Sequence, residues 1–340
     1  MKQRNRIITV FCISALLLTA CAGPQHAADS LAAKQLVWPQ PPLAERIRYS
    51  HGFSLPVELG IQPSWFRRFL NWISGDVPRA LVRPYTIAVS NSLIAVADPG
   101  ARAVTLYNTG NKTYKRIHKT DKERFQSPVG IAISDSIIYV SDSKTGKLYL
   151  YNHEGDYIST VEGFKRPTGL AYHKQSGQLY VTDTLAHKII VLDKQGRRLF
   201  DFGKRKQTDA GFNFPSHLAI HNDRLYVNDT MNFRIQVFDL KGRYITRFGK
   251  HGDASGHFSQ PKGVGVDQQG HIYVADSIFH RVQIFDIKGR FLLDFGQQGQ
   301  KPGEFWLPAG VFIHNNRIYV ADSYNRRIQV FDYTYQEKQG

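Results

Sequence analysis

Few residues of this 340-residue chain stand in patterns that carry reaction chemistry. Its two cysteines, Cys12 and Cys21, both precede residue 22, so the body of the chain can form neither a disulfide framework nor a CxxC redox pair. No GxSxG elbow, HExxH pair, phosphate-binding Gly loop or EF-hand loop occurs. Six aspartates do recur at a regular interval, Asp98, Asp142, Asp183, Asp229, Asp276 and Asp322, in steps of 41 to 47 residues. Each is followed four or five residues later by a base: Arg102, Lys147, Lys188, Arg234, Arg281 or Arg327. Acids and bases at one fixed spacing are expected to pair or hydrogen-bond inside a loop, a structural role that leaves little charge for a partner. A single histidine, His217, stands two residues after a recurring proline, where the other copies carry Thr86, Gly130, Gly169, Gly263 and Gly310. One imidazole does not make a zinc site, which takes three or four protein ligands, so neither metal nor cofactor is expected.

The thiol with a legible role is Cys21. Lys2, Arg4 and Arg6 form a basic start, and the apolar run from Ile7 to Leu18 is shorter than the roughly 20 residues a membrane-spanning helix needs. It reads as a signal peptide over residues 1–20. The junction Leu18-Thr19-Ala20-Cys21 looks like a bacterial lipobox, in which the cysteine is diacylated and becomes the mature N-terminus. Ala22 follows rather than Asp, which resembles lipoproteins forwarded to the outer membrane of two-membrane cells. The expected location is therefore extracytoplasmic, lipid-anchored, facing the periplasm where there are two membranes. Residues 21–45, with Trp38-Pro39-Gln40-Pro41-Pro42, read as an extended, Pro-containing tether.

The recurring aspartates end short β-branched runs, and those runs define the fold. Leu225 to Asp229 with Arg234 to Asp239, Ile272 to Asp276 with Arg281 to Asp286, and Ile318 to Asp322 with Arg327 to Asp332 are near copies, with three looser copies upstream. A second register agrees: Pro84, Pro128, Pro167, Pro215, Pro261 and Pro308 each precede an apolar run. Each unit parses into four strands, the last following a Gly turn such as Asp239-Leu-Lys-Gly242. Four-stranded units repeating at this period predict an all-β, six-bladed β-propeller over residues 46–336. Leu81, Phe125, Phe164, Phe212, Phe258 and Phe305, three residues before each proline, are expected to plug between blades. The last unit lacks a fourth strand, and Arg46 to Phe53 imitates the fourth-strand pattern, so residues 46–54 are expected to close blade six. Between them and blade one, residues 63–74 place Trp65, Phe66, Phe69, Trp72 and Ile73 on one helical face, either against the propeller or on the membrane.

The string Tyr-Val-Ala-Asp-Ser-Xaa-Asn-Xaa-Arg-Ile-Gln-Val-Phe at 319–331, together with Gly256-His-Phe258-Ser-Gln-Pro261-Lys-Gly263-Val, resembles the NHL repeat family. The likeness runs from about residue 80 to 332 and is sharpest in the last three units. The whole arrangement also resembles bacterial lipoproteins built as six-bladed propellers. This resemblance implies a binding platform rather than a particular reaction. Some related propellers are amidating lyases with zinc held by three channel histidines, and only His217 stands at such a position here. The expected function is a non-catalytic protein-interaction or ligand-binding scaffold in the cell envelope. The alternative is an envelope hydrolase or lyase with a site at the channel mouth near His217.

A surplus of 44 Lys and Arg over 28 Asp and Glu, net +16, first suggests an anionic partner. The surplus concentrates in Lys112, Lys115, Arg116, Lys119, Lys122 and Arg124, and in Arg197, Arg198, Lys204, Arg205 and Lys206. Loops between second and third strands add apolar tips, Met231, Phe233, Ile278, Phe279 and Tyr324, with His187 and His280. His187, Lys204, Arg205, Lys206, His217, Met231, Phe233, Phe279, His280 and Tyr324 are thus the expected binding face. The export signal sets nucleic acid aside and favours an envelope protein or anionic polymer, approached by a monomer held to the membrane through its lipid anchor.

Overall fold

The computed structural model describes residues 36–62 and 78–334. The signal region, Cys21 and the 63–74 segment lie outside the described residues. Among the described residues the chain forms six antiparallel sheets arranged as a six-bladed ring. The innermost strands are Thr86–Ser90, Pro128–Ile133, Pro167–His173, Pro215–His221, Pro261–Val266 and Val311–His314. Each packs against the innermost strand of the next blade, and the sixth returns to the first. The second strands, such as Ile272–Asp276, are buried but for the first residue of some, while a fourth strand such as Tyr244–Phe248 exposes its middle to water. That gradient follows from β-branched and aromatic content at the centre and Arg and Thr at the rim.

The hydrophobic core is six clusters rather than one, each shared by two neighbouring blades. Leu81, Phe125, Phe164, Phe212, Phe258 and Phe305 are all buried, one in each cluster. The repeat aspartates fix these plugs. Asp276 accepts the backbone N–H groups of Ser259 and Gln260 at 2.7 and 3.0 Å, just after Phe258, and Asp98, Asp142 and Asp183 do the same for their own blades. A second ring of bonds joins the blades near the innermost strands. Thr86, Ser141, Thr184, Asn228, Ser277 and Ser323 each donate to a backbone carbonyl of the following blade, and Ser323 reaches Pro84 to close the circle.

Two features depart from the sequence reading. Arg234 and Arg327 pair with Asp229 and Asp322, both at 2.8 Å, but the remaining acids and bases do not pair in this way. Lys147 turns to Glu123 and Glu162, Lys188 to Asp201 and Arg281 to Asp294, because both carboxylate oxygens of their aspartates accept backbone N–H groups, whereas Asp229 and Asp322 accept them on one oxygen and keep the other for the base. In blade one the register differs: Ala103 stands opposite Asp98, and Arg102 takes the left-handed turn position at φ 49° that Gly146 and His187 fill in blades two and three. The second departure is at the tether. Ile47–Phe53 pairs with Arg327–Tyr333 and supplies the outer strand of blade six, and Val37–Trp38 adds a further strand outside it. The Trp38 indole lies 5.8 Å from both Phe295 and Phe331, so the chain is docked from Leu36 onward, well inside the stretch expected to be a free tether.

Candidate functional site

Position two after each proline is set by how closely the innermost strands approach. A Cβ on Gly130 would fall 1.8 Å from the Thr168 carbonyl oxygen, and one on Gly263 would fall 2.4 Å from the Val311 nitrogen. Four blades therefore need glycine there. In blade four, Asn228 Nδ2 bridges to the Pro261 and Lys262 carbonyls, both at 2.7 Å, and a larger side chain, His217, occupies the position. His217 is 4% exposed, and it lines a channel of about 200 Å³ whose other walls are mostly apolar, among them Ile87, Ile131, Leu170, Val264 and Val311.

Tyr85, the residue after Pro84, comes from blade one, which lies across the ring from blade four. Its ring centroid nevertheless stands 5.2 Å from that of His217, so the two meet across the channel. Lys262 of blade five holds its ammonium 5.7 Å from the Tyr85 ring centroid. Arg166 of blade three is near enough for its charge to act on the Tyr85 phenol. Burial dominates the electrostatics: it pushes the Tyr85 phenol up, the Lys262 ammonium down, and the His217 imidazole down to about 3, with the Lys262 charge adding to the last. His217 is therefore neutral at physiological pH. Its Nδ1 lies 3.2 Å from Ser216 Oγ.

The loops around this mouth carry the other residues of the expected face. Lys204, Arg205 and Lys206 are exposed, and Asn232 Nδ2 donates to the Lys206 carbonyl, which ties their loop to the tip bearing Met231 and Phe233. That tip borders an open groove with Arg247, Lys250 and His251, in which the Phe233 and His251 rings are 4.5 Å apart. Tyr324 is 46% exposed and stands 6.0 Å from the exposed Trp306, with the Arg83 guanidinium 5.0 Å over its ring. Phe279 is covered by Arg281 at 4.7 Å. His187 and His280 serve the fold: each Nδ1 accepts a backbone N–H from the start of the next blade, Phe214 at 3.2 Å and Leu307 at 3.1 Å. Arg197 lies on the opposite face, where it pairs with Asp193 at 2.6 Å in a third-to-fourth-strand turn. The same pairing recurs as Arg243 with Asp239 and Arg290 with Asp286. Lys115 pairs with Asp156, and Arg116 donates to the Arg79 and Ala80 carbonyls, so part of the first basic cluster is also spent.

Tyr85, Lys262, Arg166 and Trp306 were not singled out by sequence. Tyr85 and Lys262 each directly follow a repeat proline, beside the position that drew attention to His217, and Trp306 directly follows the Phe305 plug.

A family model described as "6-bladed beta-propeller" matches residues 207–278 and again 266–339. No curated protein matches the chain. An auxiliary nutrient binding protein from Bacteroides thetaiotaomicron superposes with a TM-score of 0.59 at 14% identity, covering 75% of this chain and 70% of that one. A virginiamycin B lyase from Staphylococcus aureus gives 0.56 at 14% identity, covering 74% and 95%. Hydrazine synthase of Kuenenia stuttgartiensis gives 0.54 at 12%, covering 75% and 96%. At these identities the likeness is one of fold: the chain is a six-bladed β-propeller. Among the described residues, no group of three or more His, Cys, Asp or Glu side chains is placed to hold a metal ion, and no helix is long and apolar enough to cross a membrane.

Proposed function

We propose that this chain is a lipid-anchored, extracytoplasmic NHL-type propeller that works as a non-catalytic binding scaffold of the cell envelope. The NHL part of this reading rests on the repeat strings of the last three units, and the anchor on the residues before Cys21. The observation that carries the binding role is the gathering on one face of three kinds of recognition surface. These are the cationic loop Lys204–Lys206, the exposed aromatic pair Trp306 and Tyr324, and the mouth where Tyr85, His217 and Lys262 meet. Exposed aromatics on the same face as cations that form no ion pair among the described residues suit an acidic envelope protein or anionic polymer, with aromatics providing contact area and cations steering the approach. The opposite face, by contrast, neutralises Arg197, Arg243 and Arg290 within its own turns.

Reversing charge at Lys204, Arg205 and Lys206 to Glu should leave folding intact and weaken capture of the partner from envelope fractions, with a reduced salt dependence. Unchanged capture at low salt in the triple variant would remove the loop from the binding face. A hydrolase or lyase reading would draw on the same His217, whose ring sits at the channel mouth beside a tyrosine and a lysine. An imidazole with its pKa pushed down to about 3 is a weak general base at neutral pH, and this favours the binding role.

A further inference from the structure

The mouth holds charge that the fold does not use. The Lys262 ammonium is withdrawn from water, which lowers its pKa, and it forms no ion pair among the described residues. The acid whose charge reaches it, Asp276, has its carboxylate occupied by the backbone N–H groups of Ser259, Gln260, Ile278 and Phe279. Desolvating a cation without a counter-ion is costly, and the face of Tyr85 offsets only part of that cost. Arg166, in the loop that enters blade three, anchors its backbone to Asp183 and Thr184 and likewise forms no ion pair among the described residues. Blade four, between them, carries His217, buried, with Nδ1 at hydrogen-bond distance from Ser216 Oγ and no hydrogen bond made by Nε2 among the described residues. If the Ser216 hydroxyl donates to Nδ1, Nε2 carries the proton and can donate in turn.

We propose that the cup floored by Tyr85 and His217 binds the carboxylate or phosphate group of a small ligand, with Lys262 and Arg166 as its cationic partners and His217 as a neutral donor. An oxyanion supplies the counter-charge that Lys262 lacks and accepts charge-assisted hydrogen bonds, strongest on the side of Lys262 and His217, which is withdrawn from water, with the exposed Arg166 at its outer edge. The Tyr85–His217 contact narrows the channel at this end, and the proposed ligand sits on the mouth rather than threading the ring. This proposal shares with the scaffold reading only the choice of face. It requires neither the lipid anchor nor a protein partner.

The test is isothermal titration of the full chain, solubilised in non-ionic detergent at low salt and neutral pH, with citrate and with inorganic phosphate as probes. Saturable binding of at least one probe is expected, with citrate alone indicating a carboxylate site and phosphate alone a phosphate site. Lys262→Met should weaken binding about tenfold or more, the size of a lost charged hydrogen bond, while Lys262→Arg retains it, and Lys262→Met melts no lower than the parent. The Lys204, Arg205 and Lys206 triple reversal should bind the probes as the parent does. Absence of saturable binding by either probe would overturn the proposal, as would a Lys262→Met variant that binds unchanged, or a loss seen only in the triple reversal. Because the envelope partner is captured through the rim, failure here leaves the capture experiment standing, and the reverse also holds.

Discussion

Replacing His217 by Gln changes how the propeller responds to acid, and the size of the change follows from the burial of one imidazole. In the folded chain burial holds His217 at about 3, whereas the unperturbed group titrates at 6.5. The folded pKa is depressed, so below about 6.5 the unfolded chain binds a proton that the folded chain refuses, and stability falls as pH drops from there towards 3. Each unit in that window corresponds to about 1.4 kcal/mol, so moving from pH 7.5 to pH 5 should cost the parent about 2 kcal/mol through this residue alone. His51, His118, His187, His221, His280 and His314 are also shifted down by burial and contribute to acid sensitivity, so only the difference between parent and variant isolates His217. The assay is urea unfolding followed by far-ultraviolet circular dichroism at both pH values. Whatever Gln costs at pH 7.5, the stability gap should move in favour of the variant by about 2 kcal/mol at pH 5. An identical gap at both pH values would show that His217 is solvated and that the closed Tyr85 contact is wrong.

Further outcomes follow from the blade architecture. Phe258→Ala empties a fully buried plug between blades four and five and should destabilise by about 3–5 kcal/mol, whereas Tyr324→Ala on the surface should stay within about 0.5 kcal/mol; chemical denaturation of the two variants compares them directly. Deleting residues 46–54 removes the outer strand of blade six and should abolish the single cooperative unfolding transition, which calorimetry would report; unchanged melting would mean the ring closes without it. Gly263→Ala places a methyl 2.4 Å from the Val311 nitrogen and should lower the melting temperature by more than Gly265→Ala, whose nearest contact is the Ile313 side chain at 3.0 Å.

The parts of this structure legible in the sequence are those enforced six times over. Proline at or just before the start of each innermost strand, the buried plug three residues earlier and the aspartate that clamps the intervening loop recur because each blade meets its neighbour in the same way. The closing strand was legible for the same reason, since it copies the pattern of the strand it replaces. What periodicity could not reveal is whatever breaks the repeat. Arg102 follows its aspartate by four residues where the other third-strand bases follow by five, because blade one fills the left-handed turn position with an arginine. Trp38 reads as part of a Pro-rich tether, and its docking depends on a gap between Phe295 and Phe331 that only the assembled ring creates. The meeting of Tyr85 with His217 joins blades that are distant in sequence and opposite in space. His187 and His280 are histidines at a loop tip, a pattern that fits recognition as well as it fits capping, and only the hydrogen bonds to Phe214 and Leu307 separate the two.

The central claim, that one face of the propeller is the binding surface, is tested most directly by photo-crosslinking in intact cells. A photoreactive side chain is placed at Lys206 or Tyr324 on the proposed face, and at Lys241 in a turn on the opposite face. Discrete adducts from the first two positions and none from Lys241 are the result this account predicts. Adducts from Lys241 alone, or equally from all three, would contradict it.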